Sequence, residues 1–281
     1  MVLVWFSDRV ASQTFKIVLN FIELRRMMLI DSHCHLYVEE FRDDISTVIS
    51  EARGAGVEAF YLPAIDSTEH EAMLGLEAAW PGVCHAMMGL HPCYVKENWE
   101  EELQLVADWL ARRPFAAVGE IGLDFYWDRT FETAQYEAFR RQVQMAKQYG
   151  LPIVIHSRNS TQECINIVKE QQDGSLGGIF HCFSGSYELA REVVKQGFYL
   201  GIGGVVTYKN AGLPEVLAKI PLEHIVLETD APYLSPVPFR GKRNQPAYLV
   251  HVVEKLADIY RVSTDKIAEV TSANARKIFK S

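Results

Sequence analysis

The stretch Ile30-Asp31-Ser32-His33-Cys34-His35-Leu36 places two histidines two positions apart at the end of a short apolar run. In an extended strand, residues i and i+2 point to the same side and lie roughly 6.5 Å apart along the chain. His33 and His35 can therefore lean over one ion. Alone, such a pair reads equally well as solvated surface or as packed core, and it gains weight only from the rest of the chain. His91, His156 and His181 each fall at the predicted C-terminal end of a further β-rich run, whereas His70, His85, His224 and His251 do not. Two acids join them, Glu120 in AVGEIGLD and Asp230 in IVLETDAP. Neutral imidazole and carboxylate together suit zinc, manganese, iron or nickel, and bridging carboxylates can also hold magnesium. With Glu120 as a bridge, a first divalent ion would take His33, His35 and Asp230, and a second His156 and His181. Glu228 lies on the face of Asp230 but one layer deeper, so supporting the site or packing the interior is as open to it as ligation. Cys34 and Cys182 adjoin candidate ligands and read as small buried residues pointing the other way.

What could bring such distant residues together is an alternation of strands and helices. Strand candidates are 29–33, 58–65, 84–90, 115–121, 152–156, 177–182, 198–203 and 225–229; helical periods run near 43–54, 68–80, 99–112, 132–149, 160–172, 186–196 and 213–219, with more helix after the eighth strand. The helix 132–149 puts Tyr136, Phe139, Val143 and Ala146 on one face and ends at Gly150, with Pro152 close behind. Parallel strands need helical crossovers, and eight of them close into a single α/β (β/α)8 TIM-type barrel, whose sites assemble at the C-terminal strand ends. An open doubly wound sheet is the alternative. No G-x-G-x-x-G or G-x-x-x-x-G-K-[ST] occupies a strand-to-helix turn, which removes the usual reason to prefer it.

Composition narrows the class further. A chain of 281 residues, 48% hydrophobic and 23% charged, can bury one large core. A net charge of −8 argues against coating long nucleic acid through a broad basic surface. Five cysteines without a Cys-x-x-Cys suggest neither a disulfide framework nor a thiolate zinc site, which fits reduced thiols in a cytoplasmic protein. Residues 1–27 are too broken by charges for a membrane span and lack a clear signal peptide. Within them, 14–26 could form an amphipathic docked helix; equally, Met27-Met28 before the first strand suggests a start-site extension, so the domain is drawn as 28–281.

The segments SHCHL, GLHP, GEIGLDFYW, LPIVIHSR, HCFSG, GIGG and ETDAPYLSPVPFRGKRNQP, in this order and spacing, resemble the TatD family of metal-dependent deoxyribonucleases within the amidohydrolase superfamily. The resemblance runs from about Leu29 to Phe279. It implies His33, His35, Glu120, His156, His181 and Asp230 as metal ligands, the same set the residues suggest, and it places His91 and Arg158 near the substrate phosphate. Amidohydrolases often bridge their ions with a carboxylated lysine from strand 4. Glu120 stands there instead, as in TatD-like proteins, which favours the nuclease branch over the phosphotriesterase branch.

The expected chemistry is metal-assisted hydrolysis of phosphodiester bonds, with Asp230 as general base. Arg240, Lys242 and Arg243, after strand 8, would overhang the site and bind phosphate. Phe125, Tyr126 and Trp127 could stack on unpaired bases or cap the barrel, and Gly203 and Gly204 could leave room for substrate or make a tight turn. Short basic and aromatic elements around a pocket fit a 3′-end exonuclease acting on single-stranded DNA or oligonucleotides, with no membrane role and no protein partner inferable. A lactonase, amidase or aminoacyl-tRNA deacylase on the same metals is the first alternative, and a noncatalytic metal-dependent scaffold or nucleic-acid-binding factor is the second.

Overall fold

In the computed structural model, residues 28–280 are described; the segment 1–27, with its expected helix or start-site extension, lies outside them. Short runs such as Ile153-Val154-Ile155 are apolar on both faces, the pattern of parallel strands covered by helices. They form β1 (Leu29–Asp31), β2 (Val57–Leu62), β3 (Cys84–Ala86), β4 (Val118–Asp124), β5 (Ile153–Arg158), β6 (Gly178–Phe180), β7 (Tyr199–Ile202) and β8 (Ile225–Leu227). Every pairing is parallel and sequential, β1-β2-β3 in one sheet and β4 through β8 in a second.

Two seams join the sheets into a ring. Between β3 and β4, Met88 N–H donates to Ala117 O (3.1 Å) and Gly119 N–H to Met88 O (3.0 Å). Between β8 and β1, Ser32 N–H donates to Leu227 O (2.9 Å). Regular ladders stop at these seams, and a few backbone bonds complete the (β/α)8 arrangement.

The crossovers are α1 (Ile45–Gly54), α2 (His70–Ala79), α3 (Trp99–Arg112), α4 (Glu132–Tyr149), α5 (Thr161–Gln171), α6 (Tyr187–Lys195) and α7 (Leu213–Leu217), followed by α8 (Leu249–Tyr260) and α9 (Thr264–Phe279). In α4, Phe139, Val143 and Ala146 are buried as the period requires, and Gly150 ends the helix in the left-handed region. The run expected over 213–219 yields only one short turn of helix. Most strands stop earlier than the sequence suggests, because the chain leaves the ladder at the polar residues above the core. β4 and β5 are the exceptions, β5 running on to Arg158 and β4 further still. β4 reaches Asp124, three residues beyond the expected end, because Glu120 and Asp124 are both buried in it rather than terminating it.

The interior has an apolar floor. Ile30, Tyr61, Met87, Ala117, Val154, Ile179, Tyr199 and Val226, one from each strand or its immediate edge, pack together with Ala275, Ile278 and Phe279 of α9. The Tyr61 and Phe279 rings stack with centroids 3.7 Å apart, so the last helix closes the N-terminal end of the barrel. Among the described residues, no helix is long and apolar enough to cross a membrane.

Candidate metal centre

Two or three residues further along the same strands the interior turns polar. His33 and His35 follow β1, Glu120 lies in β4, His156 in β5, His181 follows β6 and Asp230 comes shortly after β8. Asp230 sits in the left-handed region (φ 57°), held there by its N–H to His33 O (2.9 Å) and by Tyr233 N–H to its own carbonyl (2.8 Å). Gly122 allows β4 and β5 to close up at this level: a Cβ there would lie 2.0 Å from His156 O.

Glu120 is the hub, with its two oxygens facing different histidines. Oε2 lies 3.1 Å from His33 Nε2 and 3.5 Å from His35 Nε2. Oε1 lies 2.8 Å from His156 Nδ1 and 3.3 Å from His181 Nε2. Asp230 Oδ1 is 3.7 Å from His33 Nε2 and 3.6 Å from His35 Nε2, on the first side. The structure thus brings the six residues singled out in the sequence together around one carboxylate. His181 also belongs partly to the first side: its ring stacks on His33 at 3.6 Å, and one ligand-type grouping joins His33, His181 and Asp230.

The donor set fits divalent cations, and a specific defect says so. His33 is fully buried, yet neither of its ring nitrogens makes a hydrogen bond, and the same holds for His181 Nδ1 and Glu228 Oε2. His33 Nε2 is near Glu120, and His181 Nδ1 is 3.2 Å from Glu228 Oε1, but the directions are wrong for hydrogen bonds. Buried polar atoms without partners are costly, and imidazole lone pairs converging on carboxylates are satisfied by a metal ion.

The electrostatics follow from crowding. Burial pushes the Glu120 carboxyl up, but His91, His181 and His33 around it outweigh burial and hold it well below the usual range. Burial also raises Asp230, to about 6, with His181 and His35 only partly offsetting it. His33 and His91 are lowered, chiefly by burial. His181 is raised because Glu228 and Glu120 overcome its desolvation.

His91 also reaches this cluster, 3.3 Å from Glu120 Oε1 and 3.2 Å from His156 Nδ1 through Nε2. Its Nδ1 accepts the Cys93 N–H (3.1 Å), so Nε2 carries the hydrogen and His91 acts as a donor rather than a lone-pair ligand.

Above the cluster opens a pocket of about 770 Å³ whose wall includes Arg158, Trp127, Tyr94, Tyr233, Arg240 and Lys242. Arg158 stacks over Tyr126 (4.0 Å) and Trp127 (5.1 Å), and Arg240 over Tyr208 (4.2 Å). Tyr126 and Trp127 are exposed, whereas Phe125 packs on the core.

Arg243, expected with the phosphate-binding cations, turns away from the pocket. Its guanidinium makes a two-pronged pair with Asp44 (3.0 and 2.6 Å), donates to Glu40 O (2.6 Å) and covers the Phe41 ring. Gly204 leaves no room for substrate either; a Cβ would lie 2.2 Å from Leu234 O, so it serves close backbone packing. Cys34 is buried and directs its thiol at Tyr61 O, as expected, while Cys182 is only half-buried.

Sequence reasoning missed Asp124. It is buried at the end of β4, with Oδ2 2.8 Å from His156 Nε2. The signal was present, since Glu120, Gly122 and Asp124 alternate onto one face of a strand once that strand is continued. Glu228, for which the sequence leaves support, packing and ligation all open, lies fully buried beside His181 and accepts the Cys182 N–H (2.5 Å).

Known proteins resemble this chain over most of its length. The family model described as TatD related DNase matches residues 30–280. The chain is 40% identical over 255 residues to an uncharacterized metal-dependent hydrolase, YabD, of Bacillus subtilis (strain 168), covering 90% of this chain and 99% of the relative. It is 32% identical over 259 residues to the 3′-5′ ssDNA/RNA exonuclease TatD of Edwardsiella piscicida, covering 90% and 99%. Among solved structures, the TatD homologue YjjV of Escherichia coli K12 superposes with a TM-score of 0.85 at 32% identity, covering 90% of this chain and 98% of that one. The (β/α)8 fold, the histidine and carboxylate cluster and the family match over residues 30–280 agree: the chain belongs to the TatD-related DNase family of metal-dependent hydrolases.

Proposed function

We propose that this protein is a metal-dependent deoxyribonuclease that removes nucleotides from the 3′ ends of single-stranded DNA. The observation that carries the proposal is the division of Glu120 between two histidine sets directly beneath a pocket whose rim bears Arg158, Arg240 and Lys242. His33, His35 and Asp230 would hold one divalent ion and His156 and His181 the other, with Glu120 shared; magnesium, manganese and zinc all suit these donors. When bound, such ions supply Lewis acidity to water and phosphate and offset the charge of the nonbridging oxygens.

The chain's own residues do the rest. Asp230 Oδ1, beside His33 and His35 at the base of the pocket, is placed to take a proton from the attacking water. His91 Nε2–H points into the cluster, where it can donate to a phosphate oxygen. Arg158, Arg240 and Lys242 give the pocket cationic donors despite the chain's negative balance. Trp127 and Tyr233 offer exposed faces on which an unpaired base can stack. The volume suits a chain end rather than a duplex. The printed activity of the Edwardsiella piscicida relative supports the same reading.

The test uses 5′-labelled single-stranded DNA with metal-stripped protein, resupplied separately with magnesium, manganese or zinc. A ladder shortening from the 3′ end is expected with at least one ion. Asp230→Asn should lower its rate by about 10²–10⁴-fold. No cleavage with any ion, or cuts confined to internal positions, would overturn the proposal.

A further inference from the structure

Asp124 takes no part in the ligand set, yet it is among the most tightly engaged carboxylates in the barrel. Its backbone N–H donates to Gln135 Oε1 (2.9 Å), and Gln135 is buried on α4, so the end of β4 is pinned to that helix. Its Oδ1 accepts two backbone N–H groups, from Tyr126 (2.9 Å) and Trp127 (3.0 Å). Its Oδ2 lies 2.8 Å from His156 Nε2.

A carboxylate that accepts from two peptide N–H groups is an anion with no hydrogen to give, so the imidazole nitrogen facing it must carry one. In the neutral ring the hydrogen then belongs on Nε2. Nδ1 faces Glu120 Oε1, 2.8 Å away, sharing a hydrogen with that carboxylate in the ion-free protein and offering its lone pair once a cation takes the place of that hydrogen. Histidine ligands are generally oriented through a hydrogen bond from their distal nitrogen.

The same carboxylate holds the turn that carries the aromatic wall. Trp127 lines the pocket and is 66% exposed. Tyr126 and Trp127 flank the Arg158 guanidinium, and Phe125 N–H donates to Arg158 O (2.9 Å), which fastens the turn to β5. One side chain thus fixes both a histidine at the floor of the pocket and the wall above it.

We infer that Asp124 is a positioning residue: it sets His156 with Nδ1 facing Glu120 and anchors the Tyr126–Trp127 wall. The inference rests on the metal reading of the cluster, and not on the nuclease reading. Replacing the carboxylate by an amide separates the two roles. In Asp124→Asn the amide oxygen can still accept from Tyr126 and Trp127, while the amide N–H₂ faces His156 Nε2 and forces its hydrogen onto Nδ1. In Asp124→Ala both roles are lost.

The experiment compares the full-length wild type, Asp124→Asn and Asp124→Ala. Zn²⁺ affinity is measured by chelator competition, and ¹⁵N NMR of His156 in ion-free protein is followed into the alkaline range. In the wild type the last ring hydrogen should reside on Nε2; in Asp124→Asn it should reside on Nδ1, with Zn²⁺ affinity lower by about 10–100-fold and the Trp127 indole resonance unmoved. Asp124→Ala should lose affinity similarly and shift the Trp127 resonance as well. Wild-type affinity in Asp124→Asn, or a His156 hydrogen on Nε2 in that variant, overturns the inference. A wild type that binds no Zn²⁺, Mn²⁺ or Mg²⁺ overturns the metal reading, and the tautomers then decide the role of Asp124 on their own.

Discussion

The floor and the top of the barrel interior are built from the same strands, a few ångströms apart, and behave as opposites. On β5 Val154 belongs to the apolar floor and His156 to the cluster; on β6 Ile179 is followed by His181, and on β8 Val226 by Glu228. Each step is two residues, the strand period, so both members of each pair point inward. At the floor α9 seals the end with Ile278 and Phe279, and every group is apolar or stacked. At the top five imidazoles crowd one carboxylate, and several buried nitrogens make no hydrogen bond. The floor contributes stability, and the top gives some up to hold lone pairs together where a cation can collect them.

Substitutions at the two levels should therefore separate activity from stability. The largest effect is expected for Glu120→Ala, which removes the shared carboxylate: DNA hydrolysis should fall by about 10⁴-fold or more, ~5 kcal/mol in the barrier, with fewer divalent ions retained and little loss of thermal stability. Single-turnover cleavage, metal analysis and a thermal melt measure all three. Retained activity would remove Glu120 from the hub. Phe279→Ala should do the converse, costing about 3 kcal/mol of unfolding free energy while ion affinity is preserved. If chemical denaturation showed no destabilisation but metal binding fell, the two levels would not be independent.

How much of this was legible in the sequence depends on the level. The alternation of short apolar runs with helical periods leads to the (β/α)8 ring, and the six candidate ligands identified by their place at strand ends are the residues that meet at the top. Strand periodicity gives a residue's face, and the barrel rule gives the end at which it acts. What periodicity does not give is where a strand ends. Taking Glu120 as the polar terminus of its strand hides Asp124, which is two more periods along and equally buried. The orientation of loop side chains is also absent from a linear pattern. Phe125, Tyr126 and Trp127 are adjacent, yet one packs inward while two are exposed, because Asp124 draws the Tyr126 and Trp127 backbone into a tight turn.

The loop 240–243 shows the same limit and supplies the smallest expected effects. Its three cations look equivalent in sequence, but Arg240 and Lys242 line the pocket while Arg243 is spent on the flank of α1. Under the nuclease reading, Arg240→Ala and Lys242→Ala should each raise KM for oligonucleotides and flatten the dependence of log kcat/KM on log salt by about 1, since each removes one phosphate contact. Arg243→Ala should leave KM and the salt slope untouched. Its pair with Asp44 is partly solvated, so its loss should cost no more than about 1 kcal/mol, read as a small drop in Tm. A salt slope reduced as much by Arg243→Ala as by Lys242→Ala would mean that Arg243 releases Asp44 and swings toward the substrate when DNA is bound. Unchanged KM in the Arg240 and Lys242 variants would place the phosphate on Arg158 and His91 alone, on the side of the pocket that β4 and β5 already hold rigid.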